Sequence, residues 1–114
     1  MIKSQCNTTN SKAFESSEQE RAQELHLAAQ AKAISHPARV RIIKILLNLE
    51  KMGGCLNSDL VSELGLAQST VSEHLRILKQ AGFINAEPMP PKVCYRVNMP
   101  EIEQFSKLFN SVFS

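Results

Sequence analysis

Gln68, Ser69, Thr70 and Ser72, followed by Glu73, Arg76 and Lys79, crowd hydrogen-bonding and charged groups into one short stretch of the chain. The first four are small or forked donors and acceptors at the start of a helical pattern. Groups of this kind, presented from the N-terminal end of a helix in the major groove, read base edges and the phosphates beside them. Val71, Leu75 and Leu78 recur at i, i+4 and i+7, so the same stretch has an apolar stripe to bury. Gly82 stops the helix. The pattern predicts a helix-turn-helix reader of double-stranded DNA.

Other reactive groups are sparse. Thr70 and Glu73 have the spacing of a capping box, but capping alone does not explain Gln68, Ser69, Ser72 and Arg76 on the same face. His74 flanks the apolar stripe and is read as a satisfied, semi-buried histidine rather than a base reader. Lys92 and Arg96 flank a short hairpin and are expected to touch DNA backbone, if they touch DNA at all. The three cysteines, Cys6, Cys55 and Cys94, are odd in number and widely spaced, which does not make a disulfide framework. They are small apolar residues, or else a thiol site for an oxidant or a soft ion. No Gly-rich phosphate loop, paired-carboxylate pocket or Cys/His dyad is present in the sequence, so no enzyme and no cofactor are expected.

Elements must position these groups. Residues 1–17 are polar, lack periodicity and read as a flexible tail, leaving 18–114 as the folded domain. Glu18 to Ile34 is rich in helix formers. Pro37 opens a second helix, with Val40, Ile43, Leu46 and Leu47 on its core face and Arg39, Arg41 and Lys44 outside. It ends between Lys51 and Gly54. Asn57 or Ser58 can cap a short third helix, Asp59 to Leu64. Phe83 to Glu87 reads as a strand, Pro88-Met89-Pro90-Pro91 as a stiff hairpin tip, and Lys92 to Val97 as the return strand. The segment at Cys55 is expected to pair with that return strand, bringing Cys55 near Cys94. In the final segment, Pro100 to Ser114, Ile102, Phe105, Leu108, Phe109, Val112 and Phe113 share one helical face. The fold class is mainly α with a two- or three-stranded β-wing.

Length and charge set further bounds. At 114 residues, 43% hydrophobic and 21% charged, the chain is ordinary for one soluble domain. No apolar run is long enough to span a bilayer, the N-terminus lacks the apolar core of a secretory signal, and a reducing cytoplasm is expected. A formal charge of +2 is small for a monomer holding DNA by electrostatics alone. A dimer would double the footprint. Leu25 of the first helix and Phe105, Leu108, Phe109 and Val112 of the last are the expected interface.

Two stretches resemble the ArsR family of bacterial winged-helix repressors. One is Ala33-Ile34-Ser35-His36-Pro37-Ala38-Arg39-Val40-Arg41-Ile42-Ile43; the other runs from Gln68 to Leu78 and continues as Ala81-Gly82-Phe83-Ile84. The resemblance implies a homodimer built from the first and last helices that represses an imperfect inverted repeat until an inducer arrives. It also locates departures. Leu56 and Ser58 stand where arsenic-sensing members carry Cys-x-Cys, and the final helix has none of the histidines used by zinc-sensing members. Neither standard metal site is expected, and any direct inducer should be thiol-reactive or thiophilic, acting through Cys55 and Cys94, with Cys6 as a further candidate. The competing function is a winged helix that binds protein, which would present an apolar or acidic face in place of the hydroxyl-rich one.

Overall fold

A computed structural model describes residues 11–56 and 60–114. Cys6 and the expected cap at Asn57 or Ser58 lie outside the described residues. Within the segment expected to be irregular, Ser11–Phe14 forms one exposed turn of 3-10 helix. Helix α1 spans Glu18–Ala33 and starts on a complete capping box: Ser17 Oγ accepts from the Glu20 N–H, and Glu20 Oε1 accepts from the Ser17 N–H. Helix α2, Pro37–Lys51, has Pro37 in its first turn and is capped by His36, whose Nδ1 accepts from the Ala38 N–H at 3.0 Å.

The buried face of α2 is rotated from the expected one. Ile42 and Leu46 are fully buried, Ile43 and Leu47 are half-buried, and Val40 is 52% exposed. Arg39, expected outside, is half-buried instead. Its Nε donates to the Ala33 carbonyl at 2.7 Å and its Nη1 to His74 Nδ1 at 3.0 Å. Satisfying those two acceptors draws the Arg39 edge of α2 inward and leaves Val40 at the surface.

Helix α3, Leu60–Leu64, is short, and Gly65 at φ = +66° makes the turn that follows, a conformation disfavoured for residues with a Cβ. Helix α4 spans Gln68–Gln80; Gly82, at φ = +86°, turns the chain out of it toward the wing. The wing is an antiparallel pair, β1 (Ile84–Met89) and β2 (Lys92–Val97), in the register Ile84↔Val97 to Met89↔Lys92. Strand pairing therefore continues through Pro88 and Met89, and the turn is only Pro90-Pro91. Both strands are edges of a two-stranded sheet, where a residue without an N–H is tolerated. A backbone bridge joins Leu56 to Tyr95, with both N–H···O=C bonds at 2.9 Å, so the segment leading into α3 docks on β2 as expected.

Helix α5 spans Met99–Phe113. Asn98 anchors its start, donating from Nδ2 to the Gly82 carbonyl and from its backbone N–H to the Phe83 carbonyl. Gln30 of α1 donates to Glu101 at 3.0 Å, and Phe105 meets Phe83 edge to face at 5.5 Å. The core thus gathers Ala33, Ile42, Leu46, Leu56, Leu60, Val71, Leu78, Phe83, Ile84 and Val97 from α1 to α4 and the wing, while α5 adds only half-buried side chains.

Candidate nucleic-acid interface

Helix α4 buries Val71, His74 and Leu78, with Leu75 half-buried beside them. The opposite face carries Gln68, Ser69, Thr70, Ser72, Glu73 and Arg76, all exposed. Ala67 is the N-cap and makes no side-chain cap bond, so the Thr70/Glu73 capping box does not form. Instead Glu73 accepts from Arg76, at 2.8 Å to Nε, while Arg76 Nη1 donates to Gln80 at 2.8 Å. The hydrogen bond from Arg76 holds the Glu73 carboxyl below the usual range. Gln68 Nε2 and Ser72 Oγ lie 3.3 Å apart, a weak contact that leaves both groups available to an incoming acceptor or donor.

The wing completes a groove. Gln68, Val71, Ser72 and Leu75 form one wall, and Pro91, Lys92, Val93 and Tyr95 form the other. Lys92 is exposed at the wing tip. Arg96 is not free in the same way: its guanidinium contacts Glu87 at 3.4 Å, Glu50 at 3.7 Å and the Gly54 carbonyl at 3.4 Å. Tyr95 was missed in the sequence, where it counted only as a strand former. It lies beside Ser72 and Leu75 and lines the second groove, with Arg76 and Lys79, as well as the first. Its being the one tyrosine in the chain, two residues before the end of the return strand, is the available hint.

His74 is buried rather than semi-buried, and it is only partly satisfied: Nδ1 holds α4 to α2, while Nε2 is buried with no hydrogen-bond partner among the described residues. A guanidinium can only donate, so the bond from Arg39 requires His74 Nδ1 to be unprotonated. Burial first, then the neighbouring His36 and Arg39, push the imidazole below its ordinary pKa. The His36 and His74 rings are 4.4 Å apart. On the far side of the wing, a disulfide joins Cys55 to Cys94, with the Cα atoms 5.8 Å apart. Cys94 is fully buried and Cys55 half-buried. Among the described residues, no group of three or more His, Cys, Asp or Glu side chains is arranged to hold a metal ion. Among the described residues, no helix is long and apolar enough to cross a membrane.

Residues 36–86, from the cap of α2 to the middle of β1, match the family described as bacterial regulatory protein, arsR family. An uncharacterized HTH-type transcriptional regulator of Mycobacterium tuberculosis is 30% identical over 83 residues, covering 73% of this chain and 70% of that protein. The chain belongs to the arsR family. It is therefore a DNA-binding transcriptional regulator and not an enzyme. The transcriptional repressor SmtB of M. tuberculosis is 36% identical over 66 residues, 58% of this chain and 46% of that one. Among solved structures, the homodimeric winged helix-turn-helix DNA-binding domain of a possible ArsR-family regulator from Mycobacterium bovis superposes with a TM-score of 0.63. It shares 20% identity and covers 85% of this chain and 87% of that one. The exposed face of α4 is polar, not the apolar or acidic face expected of a protein-binding winged helix.

Proposed function

We propose that this arsR-family regulator is a homodimeric repressor that reads an imperfect inverted repeat with α4 and steadies it with the wing. The observation that carries the reading is the exposed, uncapped polar start of α4 facing the same groove as Lys92 and Tyr95. Gln68, Ser69, Thr70 and Ser72 contact base edges and adjacent phosphates; Arg76 exchanges Glu73 for a phosphate; Lys92 holds backbone at the wing tip. Glu73 sets the orientation of Arg76 in the free protein. Repression is supported by the likeness to SmtB.

Dimerisation is supported by the trough between α1 and α5. Leu27, Ala28, Ala31 and Ile34 line one side, and Phe105, Phe109, Val112 and Phe113 the other. Phe109 is 49% exposed and Phe113 68%, on a helix with no fully buried residue. Leu25, expected at the interface, is 74% exposed on α1 but does not line the trough. Pairing these surfaces across a two-fold axis is worth roughly 1.5–3 kcal/mol for each large side chain fully buried. Dimer formation is further supported by the M. bovis domain of the same fold, which is homodimeric. Two-fold symmetry then sets the half-sites about one or two helical turns apart.

Anisotropy titrations against a selected duplex and a random one test the assignment. Gln68→Ala or Ser72→Ala is expected to cost about 1–3 kcal/mol on the selected duplex and little on the random one. Lys92→Ala is expected to weaken both alike and to reduce the salt slope. Equal losses on both duplexes for the Gln68 variant would remove base reading from this face.

A further inference from the structure

Cys55 and Cys94 close a covalent loop around the DNA-reading half of the molecule. The 39-residue separation encloses α3, the turn, α4 and β1. Disulfides in proteins that work under reducing conditions are usually transient or redox-sensing rather than structural. The pair also adjoins Arg96, a half-buried wing cation engaged in ion pairs. Gly54, whose carbonyl accepts from Arg96, is the residue before Cys55, and Arg96 is two residues beyond Cys94. The same guanidinium is paired with Glu50 at the end of α2 and Glu87 of β1. Bonding Cys55 to Cys94 therefore clamps the strand that carries Arg96 against the backbone that holds it.

We propose that Cys55 and Cys94 are a reversible thiol–disulfide modification site whose oxidation by a hydroperoxide weakens DNA binding by keeping Arg96 from the phosphate backbone. The inference rests on the DNA-reading assignment above and extends it to regulation. Cys55 is the half-exposed member and reacts first: its sulfur attacks the peroxide, the O–O bond breaks, and a sulfenic acid and an alcohol (water, for hydrogen peroxide) result. Buried Cys94 then displaces the sulfenic oxygen as water, forming the S–S bond. Two thiols lose two electrons and two protons in all, and both peroxide oxygens leave as hydroxyl groups or water. A dithiol reductant reverses the bond by exchange. In the reduced protein the Leu56–Tyr95 bridge still docks the segment on β2, but Gly54 and Cys55 ahead of it are free to shift, and Arg96 leaves Glu50 and Glu87 for a phosphate. Each subunit of a dimer regains one contact.

The test uses the full-length protein and a fluorescent duplex selected from a random pool, with a random duplex as comparison. Affinity is measured over a salt series after reduction with dithiothreitol and after stoichiometric hydrogen peroxide, with free thiols counted in each sample. The reduced protein is expected to bind both duplexes roughly tenfold more tightly, and its log K against log salt slope to be steeper by about two, as for two regained phosphate contacts. Arg96→Ala is expected to bind equally in both states, at the level of the oxidised native protein. Cys55→Ser with Cys94→Ser is expected to ignore peroxide and behave as the reduced form. Any of three results overturns the proposal: no loss of the Cys55 and Cys94 thiols with peroxide, equal affinity in the two states, or an undiminished redox response in Arg96→Ala. Specific binding that persists unchanged on oxidation overturns the proposal while leaving the DNA-reading assignment intact. Absence of specific binding in both states overturns the two together.

Discussion

Replacing Arg39 with alanine tests whether the recognition helix is held by one guanidinium. Arg39 spans three elements: it grows from α2, donates to the Ala33 carbonyl at the end of α1, and donates to His74 on α4. A hydrogen bond from a charged donor is worth about 1.5–3 kcal/mol, and an acceptor left buried without a partner carries its own desolvation cost. Both acceptors belong to residues only 6% exposed, Ala33 and His74. The guanidinium itself is half-buried, so water can follow it out, and the lower end of the range applies to each bond. The sum is about 3 kcal/mol, a large share of the stability of a small domain.

Urea unfolding followed by circular dichroism, at fixed protein concentration and pH 7.5, measures the loss. Arg39→Lys keeps the charge but offers one compact ammonium to two acceptors on different elements, so it should recover no more than about half of the 3 kcal/mol. A loss below about 1 kcal/mol for Arg39→Ala would show that the two bonds do not fasten α4. So would full recovery by lysine, since a point charge would then be doing what is attributed to the fork.

Phe109→Glu places a carboxylate in the α1–α5 trough and is expected to give a monomer in sedimentation, with operator affinity at least tenfold lower, because each half-site is then held separately; an unmutated protein that is monomeric at micromolar concentration would refute the interface. For His74 the folded pKa lies below its ordinary value, so the neutral ring is the one that folds. Its contribution is full above the unfolded pKa, near 6.5, and is lost as pH falls through the lowered folded value. Protonation would set His74 beside the Arg39 cation and His36, with only Glu73 nearby to offset them. Urea midpoints should fall as the pH drops below about 6.5 in the native protein, and less steeply in His74→Gln; parallel slopes would refute the assignment.

Elements with a clean period were legible before the structure. The Val71/Leu75/Leu78 stripe, the glycine stops and the alternation of Lys92 to Val97 depend on local rules, and they placed α4 and β2 correctly. The misreading of α2 involves partners outside the helix. Arg39 reads as surface charge because arginine is seldom buried unless paired, and its partners lie six residues back and 35 residues ahead. Turning it inward rotated α2, which moved Val40 out and Ile42 in. Pro88 reads as a strand breaker, yet an edge strand has no neighbour on one side to miss its N–H.

The cysteines show what one long-range inference can and cannot deliver. Pairing the segment before α3 with β2 follows from the winged-helix plan, and it brought Cys55 and Cys94 together on paper. The Leu56–Tyr95 bridge does so in the structure. What the pairing could not reveal is the direction of Arg96. Alternation along β2 makes it a surface cation in line with Lys92, suited to phosphate. Only the fold brings the end of α2 beneath it, so that Glu50, Glu87 and the Gly54 carbonyl converge on one guanidinium. The same joint holds the disulfide. A wing whose cation is restrained beside its disulfide has a switchable contact built from ordinary surface residues, and that is why oxidation state is the variable to change first.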